Sequence, residues 1–293
     1  MHPNIIYEDE SILVLDKPAG MTVNRSDTTK DEQTLQDWVE GRGTAAHQAH
    51  VSVAARPAIS ENRNDSSSLR ENSQEGSLQS AGEFSVAPES DLTSQQSEYE
   101  ESNREAFYKR GGIVHRLDKE TSGIIIVAKS EDVFVNLLRQ FREREVQKKY
   151  TALVHGKITP EEGEISVPVG RLPWNRKRFG IVAGGRDAQT HFKVLRYYKG
   201  KGGVLTLVEL HPRTGRTHQI RVHLKYMNHP IFADSLYGGR KTAREDRKQL
   251  NRQFLHASGI SFVHPQSFQP LSFESSLPHD LNDLLSKMQI LQS

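Results

Sequence analysis

The amino-acid sequence predicts an α+β protein. Two apolar runs, Ile12–Leu15 and Gly123–Ala128, have the length and composition of buried strands. Between and after them lie segments of helical spacing, of which Val133, Leu137 and Phe141 form the clearest example. Strands and helices follow one another without a regular strand–helix–strand repeat, which favours the α+β class over a doubly wound parallel sheet.

The other elements follow from the same two periodicities. Ser130 and Asp280 are the predicted N-caps of the helices that follow them. A glycine-rich turn at 199–203 is predicted to join two strands. In chain order, the further predictions are a helix at Thr34–Val39, strands at Lys148–Val154, Thr190–Tyr198 and Val204–Leu210, a helix containing Ile220, Leu224 and Met227, and a last helix containing Leu281, Leu284, Leu285 and Met288.

The segment Gly43–Ala106 differs from the rest of the chain in composition. It has few large apolar residues, and its eleven acidic residues against four arginines give it a net charge of −7. The whole chain carries +2, so the remainder carries +9. Because so few apolar groups cannot offset the entropy of ordering, we expect residues 43–106 to be a disordered insert. The predicted domain is then made of residues 1–42 and 107–293.

Several classes of protein are excluded by what the sequence lacks. It contains no cysteine, which excludes disulfides, a thiol nucleophile and thiolate metal sites. Its first ten residues show no secretory signal, and the longest apolar run, Ile124–Ala128, is too short to span a membrane. We therefore expect a soluble, cytoplasmic protein. Its basic body suits a polyanion such as nucleic acid, although an ordinary soluble surface can carry the same charge.

The segment Gly111–Gly123 holds the first candidate functional group, Asp118. This carboxylate lies in a polar, glycine-punctuated loop directly before a buried strand, a common position for reacting groups. The same pattern fits an aspartate that only makes a turn, with Thr121 and Ser122 as local caps. A kinase catalytic loop is not indicated, because Leu117 interrupts that motif and the chain has no glycine-rich nucleotide loop or Asp-Phe-Gly.

The segment Arg213–Leu224 interleaves three arginines with polar and apolar residues. Arg213 and Arg216 can grip phosphates from a turn, although a solvated basic helix has the same composition. Arg221 lies between two apolar residues and needs an acidic partner in the interior. The histidines in and near this segment lack the paired spacing of a zinc site, so no metal is expected. They are His211, His218, His223 and His229.

A third segment, Lys148–Val154, places Tyr150 near the beginning of a strand. On its own this residue fits an ordinary strand aromatic. Together, however, the three segments resemble the RluA-type pseudouridine synthases. The match covers Asn4 to about Glu40 and Tyr108 to the C-terminus. It is carried, in order, by Asp16–Gly20, His115–Gly123, Lys149-Tyr150, Gly215–Leu224, His229–Ile231 with Tyr237–Gly239, and Leu255–Ala257.

The resemblance implies a fold and a set of catalytic roles. The fold would be a mixed, largely antiparallel central sheet with flanking helices and an RNA-binding cleft. Asp118 matches the essential aspartate, and Arg221 matches the arginine that pairs with it. Tyr150 matches the tyrosine that stacks on the target base and is proposed to help move its proton. Arg116 matches a residue that enters the space vacated by the flipped nucleotide.

The same motifs supply the residues expected to bind RNA in addition to Arg116. These are His115, Lys149, Arg213, Arg216, His218 and Gln219. The sequence departs from the family at Asn24, where histidine is common, and at Ala233, where glycine is common. The match begins at the first residues, so no preceding S4-type RNA-binding module is expected, and the acidic insert is atypical.

The activity that the resemblance implies is the isomerisation of uridine to pseudouridine in structured RNA. Ribosomal large-subunit RNA is the first expected substrate and transfer RNA the second, and a monomer is expected. The reaction moves uracil from its N1 to its C5 linkage without oxidation or hydrolysis, so neither cofactor nor metal is expected. An ionised carboxylate such as that of Asp118 can attack the anomeric carbon or take a neighbouring sugar proton.

Two other functions stay open at this stage. A nucleic-acid N-glycosylase would share base flipping and a carboxylate, but it would release the base. A non-catalytic RNA-binding module would explain the basic residues but gives no reason for the set Asp118, Tyr150 and Arg221. Product analysis separates these functions, because a pseudouridine synthase leaves the mass of the RNA unchanged.

Overall fold

The computed structural model describes residues 2–26, 29, 31–42 and 100–292. Most of the predicted insert, residues 43–99, therefore lies outside the described part. Its last seven residues do not match the prediction of disorder, because residues 100–109 form a helix, α2. Phe107 of that helix is 1% exposed and packs against Phe134, so burial of this aromatic ring orders the end of the segment.

The strands and helices are named here in chain order. The strands are β1 (Asn4–Glu8), β2 (Ile12–Lys17), β3 (Ser122–Ala128), β4 (Gln147–His155), β5 (Glu162–Ser166), β6 (Val169–Leu172), β7 (Asn175–Ile181), β8 (Gln189–Gly200), β9 (Gly203–Pro212), β10 (Leu255–Val263), β11 (Pro270–Glu274) and β12 (Gln289–Leu291). The helices besides α2 are α1 (Leu35–Gly41), α3 (Glu131–Arg142), α4 (Gln219–Tyr226), α5 (Arg240–Asp246) and α6 (His279–Ser286).

Ten of these strands form one sheet. Its order is β1-β2-β3-β10-β4-β9-β8-β12, with β11 paired to β10 and β5 paired to β8. Among the described strands only β3 and β10 run parallel. Strands β6 and β7 form a separate hairpin. The predicted α+β fold, with a mixed, largely antiparallel sheet and flanking helices, is confirmed.

The two apolar runs became strands because both of their faces are buried. One face of β2 and β3 packs against α3 and Phe107, and the opposite face packs against α1. A strand covered on both faces has no solvent side, so its apolar residues run continuously instead of alternating. None of the helices in the described part of the chain combines the length and apolar content needed to cross a membrane.

One glycine fixes the approach of β3 to β10. Gly123 has φ +115, and a Cβ there would lie 2.2 Å from the carbonyl oxygen of Ala257 on β10. A side chain at this position would therefore force the parallel pair apart. Gly123 lies five residues after Asp118. Its close contact with Ala257 therefore fixes the position of β3, the strand that directly follows the loop carrying Asp118.

Of the two predicted N-caps, Ser130 is confirmed by its position and Asp280 is wrong. Ser130 occupies the N-cap position of α3, but its hydroxyl bonds to Asp132 and makes no cap hydrogen bond. The N-cap of α6 is Pro278, and Asp280 lies in the first turn instead. The carboxylate of Asp280 is held by Arg252 at 2.6 Å, an ion pair between segments far apart in sequence that cap preferences do not reveal.

Candidate active site

A cleft of about 630 Å³ opens between the loop before β3, the strand β4 and the beginning of α4. Nine arginine and lysine side chains line it. Among its described lining residues, Asp118 is the one carboxylate. The arrangement is therefore a strongly positive surface around a single acid, which attracts a polyanion and places a carboxylate against it.

The loop Arg116–Asp118 presents two side chains to this cleft and buries a third. Leu117 is 5% exposed and packs in the apolar cluster between β3 and α1. Its neighbours Arg116 and Asp118 line the cleft, and Arg116 is exposed. The leucine that breaks the kinase motif is thus the anchor that directs the residues on either side of it toward the cleft.

Arg221 links Asp118 to a second carboxylate. Its Nη1 donates to Asp118 Oδ2 at 2.8 Å, so the expected ion pair is present. Its Nε and Nη2 donate to Oδ2 and Oδ1 of Asp234 at 2.8 and 2.9 Å. Burial opposes the charge of Arg221, but hydrogen bonds and Coulomb attraction from Asp234, and then from Asp118, hold its pKa above the usual value.

Asp234 fixes the orientation of this guanidinium. It is fully buried, and its Oδ1 also accepts the backbone N–H groups of Leu236 and Tyr237. A fork-shaped pair of this kind restricts the arginine to one geometry. The sequence analysis missed Asp234, although a signal was available: it follows the apolar run Ile231–Ala233, where a carboxylate needs a buried cation.

A buried lysine holds the backbone beside the loop that carries Asp118. Lys17 has no exposed surface, and its Nζ donates to the carbonyl oxygens of Pro18 at 2.8 Å, Met21 at 2.9 Å and Lys119 at 3.3 Å. The backbone N–H of Gly20 also donates to Lys119 at 2.7 Å. Burial is the main cause that lowers the pKa of Lys17 to about 7. The turn after β2 therefore clamps the residue that follows Asp118.

Tyr150 lies on the floor of the cleft, on β4. Burial, and then the charge of Asp118, raise the pKa of its hydroxyl. The phenol is therefore protonated at neutral pH and offers a flat face and an O–H group instead of a phenolate. This state fits stacking on a base, which is the role that the family resemblance suggests for it.

The strand alternation of β4 separates two neighbouring lysines. Lys148 and Tyr150 face the cleft, whereas Lys149 does not line it and instead pairs with Glu274. The expected RNA contact of Lys149 stays a prediction that its position outside the cleft does not support, and the cleft-lining lysine is Lys148, which the sequence analysis did not single out. Burial, with a smaller contribution from Arg216, lowers the pKa of Lys148 to about 8. The period of two along a strand was the signal that distinguishes these lysines.

The turn before α4 is held together by Gln219. Its Oε1 accepts from Thr214 Oγ1 and from the N–H of Arg216, at 2.7 and 3.0 Å. Its Nε2 donates to Gln189 O and Thr190 Oγ1, both at 3.0 Å. Gln219 lines the cleft, and all of its polar groups are used in these four hydrogen bonds, so its role here is to hold the turn. Its expected RNA contact stays a prediction. The turn that Gln219 holds presents Arg213 and Arg216 to the cleft.

The two histidines expected to bind RNA are placed differently. His115 lines the cleft, but its Nε2 accepts the N–H of Ile126 at 3.0 Å, and burial is the main cause that lowers its pKa to about 3. His218 begins α4 with a left-handed φ of +57, and its Nε2 lies 3.9 Å from Asp118 Oδ1. Burial lowers the pKa of His218 as well.

No cluster of three or more His, Asp or Glu side chains within the described residues could hold a metal ion.

Comparison with known proteins gives the family. The family model described as RNA pseudouridylate synthase matches residues 11–226, and the chain belongs to this family. A ribosomal large subunit pseudouridine synthase D of Neisseria meningitidis serogroup B is 35% identical, over 98% of this chain and 61% of that protein. An uncharacterized RNA pseudouridine synthase of Bacillus subtilis, YlyB, is 42% identical over 61% of this chain and 56% of its own length.

The chain thus spans between half and two thirds of the length of these two relatives. Two solved structures share its fold. Human RNA Pseudouridylate Synthase Domain Containing 1 has a TM-score of 0.62 at 23% identity, covering 100% of this chain and 91% of that one. Human RNA Pseudouridylate Synthase Domain Containing 4 has a TM-score of 0.59 at 19% identity, covering 99% and 94%.

Proposed function

We propose that the protein is an RNA pseudouridine synthase in which the carboxylate of Asp118 acts on the ribose of a flipped uridine. The observation that supports this most directly is the environment of Asp118. It is the single described acid in a cleft lined by nine cationic side chains, and one of its oxygens is held by Arg221 at 2.8 Å. The cations bind the phosphates of RNA, and the carboxylate meets the sugar.

The roles of the other cleft residues follow from their surroundings. Tyr150, a partly buried neutral phenol, stacks on the uracil while the ring turns from its N1 to its C5 linkage. Arg116, exposed beside the nucleophile, fills the gap that the flipped nucleotide leaves. Base flipping costs a few kcal/mol, less in a loop than in a duplex, and the stacking and filling contacts offset part of that cost.

We infer that the substrate is structured RNA, with ribosomal large-subunit RNA first and transfer RNA second. The name of the Neisseria relative, ribosomal large subunit pseudouridine synthase D, favours this order. We also infer a monomer that acts in the cytoplasm, where ribosomal RNA is found.

The test is the Asp118→Asn variant. Pseudouridine formation, measured by mapping RNA incubated with the protein, should be abolished, while affinity for RNA should stay within a few-fold of wild type. The matched control is Asp132→Asn, an equal change at an exposed position of α3, which should turn over as the wild type does.

Mass analysis of the product completes this test. An unchanged RNA mass supports isomerisation, whereas a free uracil base would indicate an N-glycosylase. Turnover by the Asn variant would remove Asp118 from the nucleophile position. RNA binding by the wild type without any change in the RNA would indicate a non-catalytic module.

A further inference from the structure

The two oxygens of Asp118 have different surroundings. Oδ2 accepts from Arg221 at 2.8 Å. Oδ1 lies 3.9 Å from Nε2 of His218, which is too far for a direct hydrogen bond. No other donor of the described residues reaches Oδ1. The cleft therefore contains a gap between a free carboxylate oxygen and an imidazole nitrogen.

The proton of His218 is placed by its neighbour Tyr237. The phenol oxygen of Tyr237 accepts the backbone N–H of Phe179 at 3.1 Å and lies 2.9 Å from His218 Nδ1. Burial is the main cause that raises the pKa of Tyr237, so the phenol keeps its proton. Among the described residues, Nδ1 is the one acceptor within hydrogen-bond distance of this O–H, so the phenol donates to Nδ1.

The imidazole of His218 is neutral. Burial is the largest cause that lowers its pKa, and Arg221 and Arg116 act in the same direction, against the opposing charges of Asp118 and Asp234. A neutral imidazole carries one proton. Since Nδ1 accepts from Tyr237, that proton is on Nε2 and points toward the gap beside Asp118.

The gap has the size and polarity for one hydroxyl group. A single oxygen placed beside the line between the two atoms can lie about 2.8–3.0 Å from each, the normal hydrogen-bond distance. It would have to accept from Nε2–H of His218 and donate to Oδ1 of Asp118. A hydroxyl does both, whereas a carbonyl, a phosphate oxygen or an ether oxygen can only accept.

We propose that His218 and Asp118 together form a subsite for the 2′-hydroxyl of the target uridine. This inference rests on the proposed function. Within an RNA chain the 3′ and 5′ oxygens are esterified, so the 2′-hydroxyl is the free hydroxyl of each internal ribose. It neighbours the anomeric carbon on which Asp118 acts. The subsite would also discriminate against DNA, which lacks this group.

The backbone of His218 supports a built site. Its φ of +57 is unusual for a residue other than glycine, and such a conformation costs about 1–2 kcal/mol. The ring is held by edge-to-face contacts with Phe179 at 5.5 Å and Tyr237 at 5.7 Å. Strain of this kind persists where the surroundings fix it, and it is concentrated at functional sites.

The first test compares two versions of one RNA probe. The probe is a stem-loop from large-subunit ribosomal RNA with one uridine in its loop, made with uridine or with 2′-deoxyuridine at that position. Wild type should bind the uridine form at least about tenfold more tightly, the effect expected of a hydrogen bond to a charged group. Isomerisation of the bound base leaves the 2′-hydroxyl unchanged, so the ratio reports the subsite even during turnover.

Variants of single residues distinguish loss of the subsite from a general loss of RNA binding. His218→Ala should reduce the preference for the uridine form to about threefold or less. Tyr237→Phe removes the hydrogen bond that keeps the imidazole proton on Nε2, so it should reduce the preference as well. His191→Ala removes a half-exposed imidazole elsewhere, and Tyr197→Phe removes a hydroxyl bonded to Ile158 O; both should keep the wild-type ratio. An unchanged ratio in His218→Ala, or no preference in wild type, would overturn the proposal.

The second test needs no RNA. Nitrogen-15 NMR of the imidazole groups, with the His218 signals identified by their loss in His218→Gln, should show the Nε2–H tautomer in wild type and a mixture in Tyr237→Phe. A dominant Nδ1–H tautomer in wild type would contradict the inference. If the wild type makes no pseudouridine, the proposed function fails, but the tautomer and the binding ratio still decide whether the subsite exists.

Discussion

Replacing Asp234 with asparagine should destabilise the protein far more than the same change at Asp118. Both carboxylates bind Arg221, but they differ in burial. Asp234 has no exposed surface and holds the guanidinium through two hydrogen bonds, whereas the side chain of Asp118 is 21% exposed and holds it through one. The two variants therefore remove partners of the same cation from environments of different polarity.

The burial of each partner sets the magnitude. Removing one member of a buried ion pair costs about 3–5 kcal/mol, because the other charge is left uncompensated. Arg221 keeps its bond to Asp118 in Asp234→Asn, so we expect the lower end, about 3 kcal/mol. Asp118→Asn leaves the buried fork intact and removes a partly exposed contact, which is worth about 0–1 kcal/mol.

Urea titrations of wild type and both variants give the free energy of unfolding of each protein, and the two losses of stability are compared with these values. Asp234→Asn should also lower turnover, since Arg221 loses the fork that orients it, even though Asp118 remains. If Asp118→Asn is as destabilising as Asp234→Asn, or if Asp234→Asn lies within 1 kcal/mol of wild type, the assignment of Asp234 as the anchor of Arg221 is wrong.

Of three further predictions, the first two concern RNA affinity, measured by fluorescence anisotropy, and the third concerns pseudouridine formation. Because burial lowers the pKa of Lys148 to about 8, its charge is present below that pH and lost above it, so affinity should fall from pH 7 to 10 more steeply in wild type than in Lys148→Arg. Arg213→Gln should make the slope of log affinity against log salt shallower by about 0.7–0.9, whereas Lys149→Gln, outside the cleft, should not. Deletion of residues 43–99 should leave pseudouridine formation on a short stem-loop intact, since these acidic residues are repelled by RNA; loss of activity in a folded deletion protein would show that they belong to the enzyme.

The sequence revealed the strands with a clear apolar run or alternation, and it missed several strands at the margins of the sheet as well as the central strand β10. Strands β2 and β3 are buried on both faces and stand out as apolar runs. Strand β1 is mostly exposed, and β5 has one buried residue in five, so neither shows a clear run or alternation. Their pairing with neighbours, which single-sequence periodicity does not contain, is what makes them strands.

The site was partly predictable for a similar reason. The ion pair between Asp118 and Arg221 could be expected, because an arginine between apolar residues requires an acid. The roles of His115 and Gln219 could not be separated from RNA binding, since the same polar groups that face a cleft also bond to the backbone of β3 and β8. Only the three-dimensional arrangement shows which hydrogen-bonding groups are already used.

The charge balance of the site leaves one oxygen of Asp118 open to the cleft although an arginine binds the other. A guanidinium carries one positive charge, and Asp234, fully buried, binds it through a two-bond fork. Arg221 and Asp234 therefore form a neutral buried unit. The remaining Nη1–H group orients Asp118 through Oδ2 without cancelling a second negative charge, and Oδ1 faces the cleft. An arginine with Asp118 as its only partner would form a closed neutral pair, with the carboxylate less accessible from the cleft. The buried carboxylate of Asp234 is thus what allows Asp118, the proposed catalytic group, to be both fixed in place and open to the cleft.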